Sequence, residues 1–152
     1  MPETTYSYSP NLQRRVAACA VVLDDRGRVL LHQRTDNGEW SLPGGAIEPD
    51  ETAAAACLRE VFEETGFHVA IRRLVGVYSD PAITTMRYPD GNTVAYVAIL
   101  FECTPIGGRP TTGGESAAVE FFDPAHLPHP FNPEHRIRIA DTLSHHAEAI
   151  YR

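Results

Sequence analysis

Between Gly44 and Gly66 the chain carries Glu48, Asp50, Glu51, Glu60, Glu63 and Glu64 against a single base, Arg59. That segment holds most of the net charge of −7. Glu60, Glu63 and Glu64 stand three and four residues apart, the spacing that makes side chains neighbours on a helix. Three carboxylates so placed repel, raise one another's pKa, and cost a helix about 0.2–0.5 kcal/mol per pair. A hard divalent cation resolves the conflict, because Mg²⁺ takes oxygen ligands and keeps room for water and phosphate oxygens. An E-x-x-E-E run is also the pattern of a solvated acidic helix face, so the residues around it have to decide.

The segment that positions these acids reads as a helix from Asp50 or Glu51 to Thr65, with an acid-rich first turn and Gly66 at the position just past the end. At about 100° per residue the three glutamates share one arc. Ala54, Ala55, Leu58, Val61 and Phe62 fall on the opposite arc and are the expected core face.

The flanks favour the cation. From Gly45 there are five residues to Glu51, then seven to Arg59-Glu60, followed by Val61, Phe62, Glu63-Glu64, Thr65, Gly66 and Phe67. This run resembles the Nudix box, G-x5-E-x7-R-E-U-x-E-E-x-G-U with U apolar, at every defined position. The preceding Trp40-Ser41-Leu42-Pro43-Gly44 is similar to that family's usual lead-in. The resemblance is densest over residues 34–67, and the order of strands and helices agrees with the family across nearly the whole chain. It implies a metal-dependent hydrolase that cleaves a phosphoanhydride bond in a nucleoside diphosphate linked to another moiety, with Mg²⁺ or Mn²⁺ as cofactor. The implied metal ligands are Glu60 and Glu64, with the Gly44 carbonyl and with Glu63 beside them. Glu60 and Glu63 are then also catalytic candidates. Arg59 and Glu51 are expected to form an internal ion pair that ties loop to helix.

Outside the box, Glu115 in Gly113-Gly114-Glu115-Ser116 resembles the family's loop glutamate, which binds metal or positions water; a solvated loop acid is the competing reading. Arg34 is a candidate for bidentate contact with a substrate phosphate. Trp40 is a candidate to stack on a base, and Tyr78 to line the substrate cleft along with Asp80 and Tyr96. Asn132 has a sufficient structural task as a helix cap, and His126, His129 and His135 form no metal-binding pattern. ADP-ribose, nucleotide sugars and nucleoside triphosphates all fit as substrates. Pro81, some fifteen residues past the box, matches the proline of the ADP-ribose-cleaving subgroup, but a lone proline in a turn discriminates poorly. The alternatives are a non-catalytic nucleotide-sensing module on the same fold, which typically loses box glutamates, and an isopentenyl diphosphate isomerase, which needs a reactive cysteine.

The remaining elements have to hold this helix. At 152 residues the chain is expected to form one domain, with residues 1–12 as a flexible arm. Residues 15–23 and 29–33 read as the two strands of a hairpin, residues 69–78 and 93–103 as further strands, and Pro89-Asp90-Gly91-Asn92 as a turn. Asn132-Pro133 begins a final helix running to about Ile150. The fold class expected is α/β, a Nudix-type α/β/α sandwich with a mixed central sheet. All thirteen cations are Arg, with no basic cluster beyond the pairs Arg14-Arg15 and Arg72-Arg73, a poor basis for gripping a nucleic-acid backbone. No apolar stretch approaches the ~20 residues that span a bilayer. Cys19, Cys57 and Cys103 are odd in number and lie far apart, which fits a reducing compartment; a cytoplasmic location is expected. Family members are often dimers, so Tyr6-Ser7-Tyr8 is either part of a homodimer interface or an untethered terminus.

Overall fold

The computed structural model describes residues 12–88 and 90–152. The expected flexible arm therefore lies, but for Leu12, outside the described residues, as do Tyr6-Ser7-Tyr8 and Pro89. Twelve elements follow in order. Strands β1 (Leu12–Val22), β2 (Val29–Arg34), β3 (Trp40–Ser41) and β4 (Gly44–Ala46) precede helix α1 (Ala53–Thr65). Next come β5 (Phe67–Tyr78), the single turn α2 (Pro81–Thr84), β6 (Thr85–Arg87), β7 (Thr93–Gly108) and β8 (Ser116–Phe122). Helix α3 (Pro133–Leu143) and a short β9 (Ile150–Tyr151) complete the chain.

The larger sheet has the order β4-β1-β7-β5-β9, with β6 also on β7; the smaller one is β3-β2-β8. The larger is mixed: β1 runs parallel to β7 and β5 parallel to β9, and the other pairs are antiparallel. Alternation along β1 supplies two cores, since successive side chains of a strand point to opposite faces. Ala18, Ala20 and Val22 pack with Ala56, Cys57 and Val61 of α1, while Cys19 and Val21 pack with Ile139 of α3. The large sheet thus lies between the two helices, the α/β/α arrangement with a mixed sheet.

Four local expectations are corrected. β1 and β2 are joined by the turn at Asp24, whose carboxylate accepts the Arg26 and Arg28 amides, but they are not a hairpin. Beyond the single Leu23–Val29 bridge they part into different sheets, because both are apolar enough to find other partners. Helix α1 begins only at Ala53, where the Thr52 hydroxyl caps the Ala55 amide, and its first turn holds no acid. Its buried face is Ala56, Cys57 and Val61 with Glu64 and Thr65, whereas Leu58 and Phe62 are about half exposed. The buried arc is rotated from the expected one because alanine carries little information about direction, and burial of Glu64 breaks the polarity rule. Helix α3 starts at the Asn132 cap as expected but stops at Leu143, and the chain then returns as β9 beside β5.

Candidate active site

Gly66 takes φ = 81° and its amide closes on the Phe62 carbonyl at 2.8 Å, ending α1 where a left-handed residue is required. The last two turns of α1 therefore face β4, and close approach is possible only because residues 44 and 45 of that strand are glycine. A Cβ on residue 45 would lie 2.5 Å from the carboxyl carbon of Glu60. The Glu60 carboxylate occupies the space that any other residue at 45 would fill.

Two connected hollows meet there. One, of about 610 Å³, is lined by Gly44, Gly45, Glu60, Glu63, Glu64 and the 111–115 loop. The other, of about 280 Å³, is lined by His32, Arg34, Thr35, Asp36, Gly44, Glu64 and Glu115. Gly44, Glu64 and Glu115 belong to both, so Glu64 lies at the centre of the cleft.

The carboxylates differ sharply. Glu64 is nearly sealed, at 7% exposure; its Oε1 accepts the Gly44 amide at 2.7 Å and its Oε2 lies 3.0 Å from Nε2 of His32. Burial raises its pKa to about 8, helped by the charges of Glu60 and Glu115 and opposed by the Gly44 amide. Glu60 is also raised, again chiefly by burial, although Arg59 Nη1 sits 2.8 Å from its Oε1. Glu63 is half exposed, 3.1 Å from the same Arg59 nitrogen. Arg59 is the hub expected for Glu51: its Nε and Nη2 grip both oxygens of that acid, and Nη2 also donates to the Ala46 carbonyl at 3.1 Å. The Arg59 guanidinium holds Glu51 at about 2, well below the usual carboxylate range. Arg59 thus answers Glu51 in full and shares one nitrogen between Glu60 and Glu63, whereas Glu64 has no arginine partner.

Among the described residues no three His, Cys, Asp or Glu side chains converge as a ready-made metal cage. The donor chemistry nevertheless suits a hard cation. Glu60, Glu64 and Gly44 border the same hollow, all as oxygen donors, and both carboxylates bind protons more tightly than free ones do. A divalent cation would answer that excess negative charge.

Of the other sequence candidates, Arg34 borders the smaller hollow, its guanidinium gripping Asp36 at 2.6 and 2.9 Å. Glu115 is exposed on the loop, whose backbone is tied to β2 by the Thr35 amide. Trp40 and Tyr78 border neither hollow. Trp40 packs edge-on against Phe122 with centroids 4.8 Å apart, among the core residues on the α3 side. Tyr78 is corrected: it is 4% exposed, donates its hydroxyl to Asp141 at 2.8 Å, and lies under the Arg138 guanidinium, leaving no surface for a substrate. Two histidines that carry no motif in the sequence stand next to the cleft and its lead-in. His32 touches Glu64, and His135 accepts the Leu42 amide at 3.0 Å, bracing the lead-in to Gly44. For His32 the available signal was its place two residues from Leu30 and two from Arg34, on one face of a buried strand.

Comparison with known proteins agrees with this geometry. The model of the NUDIX domain matches residues 13–142. A MutT-like protein of Streptomyces ambofaciens is 37% identical over 143 residues, covering 94% of this chain and 85% of that one. A putative 8-oxo-dGTP diphosphatase of Bacillus subtilis is 32% identical over 125 residues, 82% of this chain and 76% of the other. Among solved structures, an ADP-ribose pyrophosphatase from Streptococcus suis superposes with a TM-score of 0.70 at 25% identity, covering 91% of this chain and 97% of that one.

Proposed function

The chain belongs to the NUDIX domain family and is a Nudix pyrophosphohydrolase, and from that premise we propose that it cleaves a phosphoanhydride bond in a small nucleoside diphosphate derivative with the help of Mg²⁺ or Mn²⁺. The observation that carries this reading is Glu64, buried without an arginine partner where the two hollows meet, with Glu60 beside it in the larger one. Glu60, Glu64 and the Gly44 carbonyl would hold the cation, with exposed Glu63 as a further ligand. Bound there, the ion supplies charge neutralisation for the phosphates and makes a coordinated water more acidic.

The chain's own residues do the rest by positioning. Arg34, at the rim of the smaller hollow, exchanges Asp36 for a phosphate oxygen and fixes the diphosphate across the cleft. Glu115, on the shared border of both hollows, orients the attacking water and takes its proton. Oxygen from that water adds to one phosphorus, and the bridging oxygen leaves with the other phosphate. Arg59 keeps α1 and the β4 loop in register through Glu51. No helix among the described residues is long and apolar enough to cross a membrane, and the substrate is a small molecule rather than a nucleic-acid chain. The names of the relatives make ADP-ribose and oxidised deoxynucleoside triphosphates the first substrates to try.

The test is a screen for phosphate-containing products across ADP-ribose, nucleotide sugars, dinucleoside polyphosphates and normal and oxidised triphosphates, with Mg²⁺ or Mn²⁺. Turnover of at least one class, abolished by excess chelator and restored by added metal, is expected. Undiminished hydrolysis in chelator would overturn the metal assignment, and no turnover of any class would favour a nucleotide sensor.

A further inference from the structure

The Glu64 carboxylate is held from both sides, and one of the two holders, His32, lies outside both the box and its lead-in. His32 lies on β2, 3% exposed, with Nε2 facing Glu64 Oε2 at 3.0 Å and the Ser41 hydroxyl of β3 at 3.3 Å. Its Nδ1 meets the Ser116 hydroxyl of β8 at 2.8 Å. Ser116 in turn lies 2.6 Å from the main-chain carbonyl of Glu64. A carbonyl only accepts, so the Ser116 proton points to it, and the Ser116 oxygen is left to accept from Nδ1–H of His32. The ring is thereby fixed in rotation and in the direction of its proton. Nε2 then faces Oε2 of Glu64 at 3.0 Å, both side chains being closed to solvent. The other carboxylate oxygen is fixed by the Gly44 amide at 2.7 Å.

Glu64 is thus anchored at both oxygens and at its own carbonyl by β2, β4 and β8, and it borders both hollows of the cleft. We propose that His32, braced by Ser116, is the positioning residue of this centre: it sets the direction in which Glu64 offers its carboxylate to a divalent cation. The proposal rests on the reading of Glu64 as a ligand. Partners of this kind hold ligating groups in one orientation, and their loss typically weakens metal binding about 10–100-fold. His32 as a mere core filler would instead be replaceable by an apolar residue of similar volume.

The experiment is direct titration of the full chain with Mn²⁺, followed by calorimetry and by the paramagnetic resonance of the free ion, for wild type, His32→Leu, His32→Gln and Ser116→Ala. Melting temperatures and kcat and KM are read alongside. His32→Leu is expected to weaken Mn²⁺ binding by about 10-fold or more. His32→Gln, whose amide can place an N–H near Nε2, should recover most of the affinity. Ser116→Ala, which keeps the imidazole but frees its rotation, should fall between them, and it carries the test if His32→Leu does not fold. The nucleotide KM should stay near wild type while kcat falls, since His32 is 3% exposed and acts through Glu64. Mn²⁺ affinity of folded His32→Leu equal to that of wild type would overturn the proposal, as would equal weakening in the Leu and Gln variants in step with lost melting temperature. Those outcomes leave an active wild type standing. A wild type that neither binds Mn²⁺ nor turns over any nucleotide would overturn both this proposal and the reading beneath it.

Discussion

Two acids lie almost sealed on opposite faces of the large sheet, Glu64 of α1 and Asp141 of α3, at 7% and 5% exposure. Asp141 is answered in full. Arg152 grips both its oxygens at 2.8 and 2.9 Å, and the Tyr78 hydroxyl donates at 2.8 Å, so its pKa is lowered, first by the Arg152 hydrogen bonds. Glu64 has an amide and a neutral-prone imidazole, whose own pKa burial lowers to about 4, and the acid is raised to about 8. Both sites are hydrogen-bonded; only one is balanced in charge. A bidentate arginine neutralises the buried acid on one face and no arginine pairs with it on the other, where the proposed divalent cation would take the place of the Glu64 proton.

The sharpest way to break this contrast is to remove each charge while keeping the shape. Glu64→Gln should lower kcat by about 10²- to 10³-fold, the scale of losing one electrostatic contact to developing charge. It should leave the melting temperature unchanged or raised, because the amide can accept the Gly44 N–H and donate to His32 as a protonated acid would. Near-normal turnover in that variant would remove Glu64 from the centre. Arg34→Ala comes next: it should raise the nucleotide KM by about 10-fold or more, the worth of a charged hydrogen bond to phosphate. A changed kcat at constant KM would place Arg34 in a different role.

Asp141→Asn should behave in the opposite way, with activity retained and stability lost. The loss is about 1.5 kcal/mol, at the low end for charged hydrogen bonds because solvent reaches the guanidinium. That corresponds to about 3–6 °C in melting temperature for a chain of this size. Asp141's pKa is lower folded than unfolded, so its contribution is complete above the unfolded value of about 3.9 and is lost as pH falls through the folded one. Urea midpoints of wild type and variant should therefore differ at pH 7 and converge below about pH 4. A constant difference would mean that packing, not charge, separates them.

The face proposed to react was legible in the sequence because its signals are local. The spacing from Gly45 to Phe67 identifies the helix end, the Arg59–Glu51 tie and the acids, and the structure gathers Glu60, Glu63, Glu64, Gly44 and Glu115 around one cleft. What stayed hidden depends on residues far apart in the chain. His32 meets Ser116 across 84 positions, Tyr78 meets Asp141 across 63, and Leu42 meets His135 across 93. Tyr78 looks like a cleft residue until Asp141 takes its hydroxyl, and a histidine in an apolar strand looks like core until a carboxylate appears beside it. The rotated arc of α1 has the same origin: which alanines are buried is decided by β1 and β4, not by the helix.

His135 extends the comparison from acids to a base, with the smallest expected effect. Its Nδ1 accepts the Leu42 amide at 3.0 Å, which only an unprotonated Nδ1 can do. Burial first, then the nearby charges of Arg138, His32 and Arg34, lower its pKa well below 6.5. A base whose folded pKa is depressed stabilises the fold fully above its unfolded pKa, and that share is lost as pH falls from 6.5 through the folded value. The slope is at most about 1.4 kcal/mol per pH unit. Over the same range His32 and Glu64 oppose each other, since folding drives a proton off the imidazole and onto the carboxylate. The acid limb between pH 6.5 and 5 should consequently belong largely to His135. His135→Asn can keep an acceptor for Leu42 without titrating, so its urea midpoint should fall less than that of wild type between pH 7 and 5. Equal falls in the two proteins would show that the Leu42 contact does not hold His135 neutral.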